Sequence, residues 1–223
     1  MKKVLITLVV LLASTATMAS SREDDIERLQ SGATVIREIM VAPDSGIPDD
    51  VLTKAKCVAV IPNMFKAAFG FGGAYGKGVA SCRTEKGWSG PAFFSLKGGR
   101  FGLQIGGQAA DIVMLIMNDE GMNKLLASKF KLGTDASVAA GPVGRHADAS
   151  TDWKMRAQVL TYSRTRGAFI GISLNGAVVS QHQEDTREFY GRMVPFNTIL
   201  RGNIGSPKEA VVWHKTLVKY AGT

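Results

Sequence analysis

The sequence predicts an α+β fold: a strongly curved or barrel-like antiparallel sheet flanked by N-terminal and C-terminal helices. Three observations carry that prediction. Residues 22–42 place apolar side chains at helical spacing, residues 57–117 are rich in glycine, β-branched and aromatic residues broken by turn signals, and helical spacing returns at the end of the chain. The regular strand and helix alternation of a doubly wound fold is missing.

The chain opens with Lys2 and Lys3, an apolar run from Val4 to Ala13, and small or polar residues from Ser14 to Ser21. That order is the n-region, h-region and cleavage region of a secretory signal. The apolar run is about half of the roughly 20 residues needed to cross a bilayer. Thr17 and Ala19 are the small residues a signal peptidase requires, so cleavage is expected after Ala19. Residues 1–19 are accordingly assigned as a signal peptide and 20–223 as a single domain. Removing Lys2 and Lys3 lowers the basic count from 27 to 25 against 19 acidic residues, for a net charge of +6. A basic exported chain is attracted to anionic headgroups, acidic glycans or nucleic acid, although charge also serves solubility alone. The expected location is the periplasm or the medium, with peripheral association to envelope membranes.

The first helix places Ile26, Leu29, Ala33, Ile36 and Met40 on one stripe, starts near Ser21 and Asp24 in a capping-box pattern, and stops before Pro43. Its polar face mixes acids and bases, whereas a membrane-surface helix is rich in Lys and Arg. Core packing is its first expected role and membrane contact through Ile26, Leu29 and Ile36 the second. A short helix is expected through Val51 to Lys54. Strands follow, with hairpin turns at Thr84-Glu85-Lys86-Gly87 and Lys97-Gly98-Gly99-Arg100. Glycines within them, such as Gly70, Gly72, Gly73, Gly76, Gly78, Gly102, Gly106 and Gly107, fit a sheet that bends sharply or meets another backbone. A helix is expected near Glu120 to Ala127, and strands at 130–141, 156–165 and 167–180 with a turn at Arg166-Gly167. The last helix sets Ala210, Trp213, Leu217 and Tyr220 on one side.

Cys57 and Cys82 each fall in a strand-like run. In an oxidising compartment they can pair, or they can stay as two buried thiols; sequence leaves both readings open.

Several longer motifs resemble the SYLF domain family, relatives of the Ysc84-type actin-binding domain. They are Lys54 to Pro62 leading into Phe69-Gly70-Phe71-Gly72-Gly73, Trp88-Ser89-Gly90-Pro91-Ala92-Phe93, Gly102-Leu103-Gln104-Ile105-Gly106-Gly107-Gln108, Gly133 to Arg145, and Tyr162 to Phe169. The resemblance covers about residues 22–221. The resemblance implies a lipid-binding module, phosphoinositide-binding and actin-linked in eukaryotic members, without catalysis or a cofactor. Neither actin nor phosphoinositide suits an exported bacterial member, so the expected partner is an anionic lipid or membrane surface: phosphatidylglycerol, cardiolipin or lipopolysaccharide phosphates. The alternative is an envelope structural or protein-interaction module without lipid binding, recognising an envelope protein.

Membrane binding needs several cations acting together, since each Lys or Arg contributes about 1 kcal/mol at an anionic surface, plus some apolar insertion. Met64, Phe65, Lys66 and Phe69 supply both, and Lys77, Lys97 and Arg100 lie in or beside glycine-bearing turns. The competing reading places Met64, Phe65 and Phe69 in the core.

Enzyme signatures fail. The run Gly72 to Gly78 has Phe71 and Gly78 where a P-loop needs Gly and Ser or Thr. Gly171-Ile172-Ser173-Leu174-Asn175 lacks the final glycine of a nucleophile elbow. His146, His182 and His214 are far apart and lack metal-ligand spacing. Asp111 enters an apolar run and is expected at a strand end or in a structural ion pair, and Asp135 on local amides. The basic residues are too dispersed for nucleic acid.

Overall fold

The computed structural model describes residues 21–42, 46–67, 73–98, 110–144, 157–165 and 168–223. Helix α1 (Ser21–Val41) and the short α2 (Asp49–Lys54) lead into strands β1 (Cys57–Ala67), β2 (Gly73–Thr84), β3 (Gly87–Trp88), β4 (Ala92–Lys97) and β5 (Ala110–Ile116). Helix α3 (Asp119–Leu126) follows, then β6 (Lys129–Lys131), β7 (Val138–Ala140), β8 (Val159–Thr165), β9 (Ala168–Gly171) and β10 (Val178–Gln181). The chain closes with α4 (Gln183–Tyr190), α5 (Phe196–Leu200), a 3-10 turn at Lys208–Ala210, and α6 (Val211–Ala221).

The strands form one curled sheet, a half-barrel, in the order β6-β10-β4-β2-β1-β5-β8-β7, with β3 on β2 and β9 on β8. The α+β class and the flanking helices agree with the sequence, and so does the β2–β3 hairpin around Glu85 and Lys86. Two details differ. β7 runs parallel to β8, so the sheet is mixed. The expected hairpin turn at Lys97-Gly98-Gly99-Arg100 runs outside the described residues; among them β4 pairs with β2 and β10, and β5 with β1 and β8. β10 reaches the far side of the sheet from β9, which splits the expected 167–180 strand in two.

Alternation along β1 explains the two cores. Cys57, Ala59 and Ile61 face one cluster, closed by Leu125 of α3 and Phe196, Ile199 and Leu200 of α5. Val58 and Val60 face the other, against Leu29, Ile36 and Ile39 of α1 and Trp213 and Leu217 of α6. A sheet covered on both faces reads as continuous apolar runs, as in Ala110–Ile116, all seven residues buried. The curl brings β2 close to its neighbours. A Cβ on Gly78 would lie 2.6 Å from the Val60 carbonyl oxygen and 2.6 Å from Phe94 Cζ, so no larger residue fits there. Near Pro62 the β1 register slips against both neighbours, and Asn63 takes a left-handed φ of 51°. Asparagine is among the residues that tolerate that conformation.

Cys57 and Cys82 are register partners on β1 and β2 and are joined in a disulfide. Of the two readings that the sequence leaves open, the structure holds the bridged one.

Candidate functional site

The polar chemistry divides between a buried ionic cluster and two exposed surfaces. The cluster joins α1, β2 and α4. Asp25 is fully buried on α1 and accepts a hydrogen bond from Arg28 Nη1 at 2.5 Å. The same Arg28 nitrogen reaches Asp185 Oδ2 of α4 at 2.9 Å, and its guanidinium lies 5.7 Å from the centre of the Phe93 ring. Asp185 Oδ1 also accepts from Lys77 Nζ of β2 at 2.9 Å and lies 3.0 Å from His182 Nδ1. His182 caps α4, its Nδ1 facing the Asp185 amide at 3.3 Å.

The two carboxyls respond in opposite directions. Burial, reinforced by the Asp185 charge, pushes Asp25 from 3.8 up to about 7 against the pull of Arg28. Burial also acts to raise Asp185, but the hydrogen bonds from His182 and Lys77 and the charge of Arg28 outweigh it and bring Asp185 down to about 2. Asp25 Oδ2 has no hydrogen-bond partner among the described residues. Together with Arg22, which donates to the Phe189 carbonyl at 2.7 Å and to Glu209 at 3.0 Å, this cluster fixes the first turns of α1 to the body.

Leu29 and Ile36 are buried against the sheet and the partly buried Ile26 packs beside them, so the apolar stripe of α1 faces the core, the first of its two expected roles. Met64 is core as well. Lys77 is committed to Asp185 and is not a free surface cation. Sequence alone could not find the cluster, because Asp25 and Arg28 belong to the mixed polar face of α1 and their partners lie about 50 and 160 residues further along the chain.

Asp111 is a structural ion pair. Arg164 Nη2 approaches it at 2.7 Å and the Asn63 amide donates to Oδ1 at 2.9 Å, while Arg164 also reaches Glu38. Burial raises the Asp111 pKa and the Asn63 amide opposes that. Asp135 accepts from the Lys131 amide at 2.7 Å and so closes a local turn. His214 is held 2.8 Å from the Ser89 carbonyl, its pKa lowered by burial. Among the described residues, no group of three or more His, Cys, Asp or Glu side chains is placed to hold a metal, and no helix is long and apolar enough to cross a membrane. His146 lies outside the described residues.

The first exposed surface is one rim of the sheet. Direct register partners across five strands are Phe65, Tyr75, Lys97, Val178 and Lys131. Lys97 is exposed and its Nζ lies 5.4 Å from the centre of the Tyr75 ring, itself 40% exposed. Lys66 lies next to Phe65 in β1, opposite Ala74. By backbone register Phe65 shares the row of Tyr75 and Lys97, whereas Lys66 falls in the next row, with Ala74. Phe69 and Arg100 lie outside the described residues.

The second is the outer face of α6. Trp213, Leu217 and Ala221 are buried, whereas Val211, Val212 and Val218 are 49%, 45% and 44% exposed, and Lys215 and Lys219 are exposed between them. No carboxylate occurs in the helix. This surface carries a signal that the sequence did offer: two valines and a lysine repeating at helical spacing opposite the Trp213 and Leu217 stripe.

The described residues thus form a curled mixed sheet between two helical layers, with ion pairs in its interior and lysines beside exposed apolar side chains on its surface. The family described as "Ysc84: Las17-binding protein actin regulator" matches residues 97–220, and the chain belongs to this Ysc84 (SYLF) family. It is 33% identical over 170 residues to the rat SH3 domain-containing YSC84-like protein 1, a match covering 75% of this chain and 50% of that protein. The LAS seventeen-binding protein 3 of Saccharomyces cerevisiae is 35% identical over 170 residues, covering 74% of this chain and 36% of that protein. Protein YSC84 of the same yeast is 34% identical over 173 residues, covering 75% and 36%. The chain thus spans half or less of the length of these relatives, whose names are not those of enzymes.

Proposed function

We propose that the chain is an exported, non-catalytic binding domain that associates with anionic lipid surfaces of the cell envelope. The observation that carries this reading is the occurrence of exposed lysines beside exposed apolar side chains, Lys97 with Tyr75 and Lys215 and Lys219 with Val211, Val212 and Val218. An anionic bilayer rewards that combination, because each cation near its surface contributes about 1 kcal/mol and apolar groups add burial. The leader-like residues 1–19 support export, and the Cys57–Cys82 bridge fits an oxidising compartment. The relatives named for Las17 binding and SH3 domains favour a second reading, a module that docks a protein partner. Vesicle flotation separates the two. Folded protein that floats with anionic vesicles, and not with neutral ones, supports lipid binding; protein that floats with neither and is captured with an envelope protein supports the second reading.

A further inference from the structure

We infer that the outer face of α6 is the surface that docks onto anionic lipid, in preference to the sheet rim at Lys97. This rests on the lipid reading above and assigns it a place. At about 100° per residue, Val218, Val211, Lys215, Lys219 and Val212 fall within an arc of roughly 120°, with Lys215 near its centre. Trp213, Leu217 and Ala221 occupy the opposite side and are buried in the core. The exposed arc is a band of valines with two exposed lysines, long enough for their ammonium groups to reach headgroup phosphates while the valines enter the interface.

Three further features favour this face. Its charge is of one sign: α6 holds no Asp or Glu, and the preceding Glu209 is paired with Arg22 at 3.0 Å. The rim has Asp135 beside Lys131, while on α6 Lys219 Nζ lies 4.8 Å from the centre of the Tyr220 ring, much as Lys97 lies 5.4 Å from that of Tyr75 on the rim, so the difference between the two surfaces is the carboxylate. Lys215 makes no ion pair or hydrogen bond with any described residue. The helix is also held rigidly, which lowers the ordering cost of docking. Trp213 Nε1 donates to Ser81 at 2.9 Å, and His214 contacts the Ser89 carbonyl. At the C-terminal end Arg83 donates to the carbonyls of Thr53, Ala55, Ala221 and Thr223, and stacks 4.6 Å from the Trp88 ring centre. Trp88 Nε1 in turn donates to the Gly222 carbonyl at 2.8 Å. The arc is therefore presented preformed, on a helix whose carbonyl end is capped by the partly buried guanidinium of Arg83.

The test compares flotation of four proteins with phosphatidylglycerol-containing vesicles at low salt, each purified as the producing cell processes it and each checked for an unchanged melting temperature and an intact disulfide. They are the unmodified chain, Lys215→Glu/Lys219→Glu, Val211→Ser/Val218→Ser, and Lys97→Glu/Lys131→Glu on the rim. The two lysine variants carry the same change in net charge. We expect the α6 charge variant to partition at least about 30-fold less and the valine variant about tenfold less, with the rim variant within about threefold of the unmodified chain. Equal losses in the two charge variants, or a loss confined to the rim variant, overturn the assignment while leaving lipid binding intact. If the unmodified chain does not float at all, the lipid reading fails first and the assignment falls with it.

Discussion

Substituting Asp25→Asn should flatten the pH dependence of stability and make the protein more stable than the unmodified chain at mildly alkaline pH. Asp25 is fully buried, one of its oxygens has no partner among the described residues, and the groups facing it are Arg28 on its own helix, Asp185 and His182 from α4, and Lys77 from β2. Burial, with the Asp185 charge, raises its pKa from 3.8 to about 7. Because the folded value lies above the unfolded one, the stability that Asp25 contributes is fully present below about pH 4 and is lost as pH rises through 7. The whole difference is about 4 kcal/mol, of which roughly 2–3 kcal/mol falls between about pH 5 and 8.5. For a domain of this size that is a fall of about 5–10 °C in Tm. Asparagine keeps the shape and removes the ionisation. Thermal unfolding across that range, followed by circular dichroism, should show the fall in the unmodified chain and little of it in the variant. Parallel curves, or an Asn variant less stable throughout by the margin expected for a broken buried ion pair, would refute the reasoning.

Asp185 behaves oppositely: its lowered pKa contributes stability above about pH 4 that is lost as pH falls towards 2, so Asp185→Asn should remove part of the acid-unfolding transition and cost stability at neutral pH by leaving Lys77 and Arg28 undercompensated. Replacing Cys57 and Cys82 together by Ala should cost about 3.5 kcal/mol, from the 25-residue separation that the bridge closes, read as a lower guanidinium midpoint with the fold retained. Arg164→Ala should cost about 3 kcal/mol by leaving Asp111 buried without its cation, and Arg164→Ala with Asp111→Asn should recover part of that loss. Gly141→Ala should abolish soluble folded protein, because its Cβ would lie 2.0 Å from Cζ of Tyr162, which is itself fully buried; normal expression of a cooperatively melting variant would contradict the packing there. Mass spectrometry of the protein recovered from the producing cells should give Ser20 as the first residue.

Much of the fold was legible because local patterns and tertiary burial agreed. The Leu29, Ala33 and Ile36 stripe, the Glu85-Lys86 hairpin and the Trp213 and Leu217 stripe each follow from spacing that the structure then uses for packing. The sheet order was not legible, since hairpin signals report only on chain neighbours, whereas β10 and β4 pair across about 80 residues. Side-chain fate was the harder problem. A residue such as Lys77 looks the same in sequence whether it meets solvent or Asp185, and Met64 next to a register slip in β1 has the composition of a surface loop although it fills the core. Val211, Val212 and Val218, off the Trp213 and Leu217 stripe, are exposed, because only one side of α6 finds the sheet.

The most direct test of the central claim is the partition of the unmodified protein between buffer and vesicles as the anionic lipid fraction is raised, repeated at increasing salt. Binding that grows steeply with anionic lipid and weakens as salt screens the lysines is the result this account predicts. Folded protein that stays in the buffer at every composition and every salt concentration would contradict it.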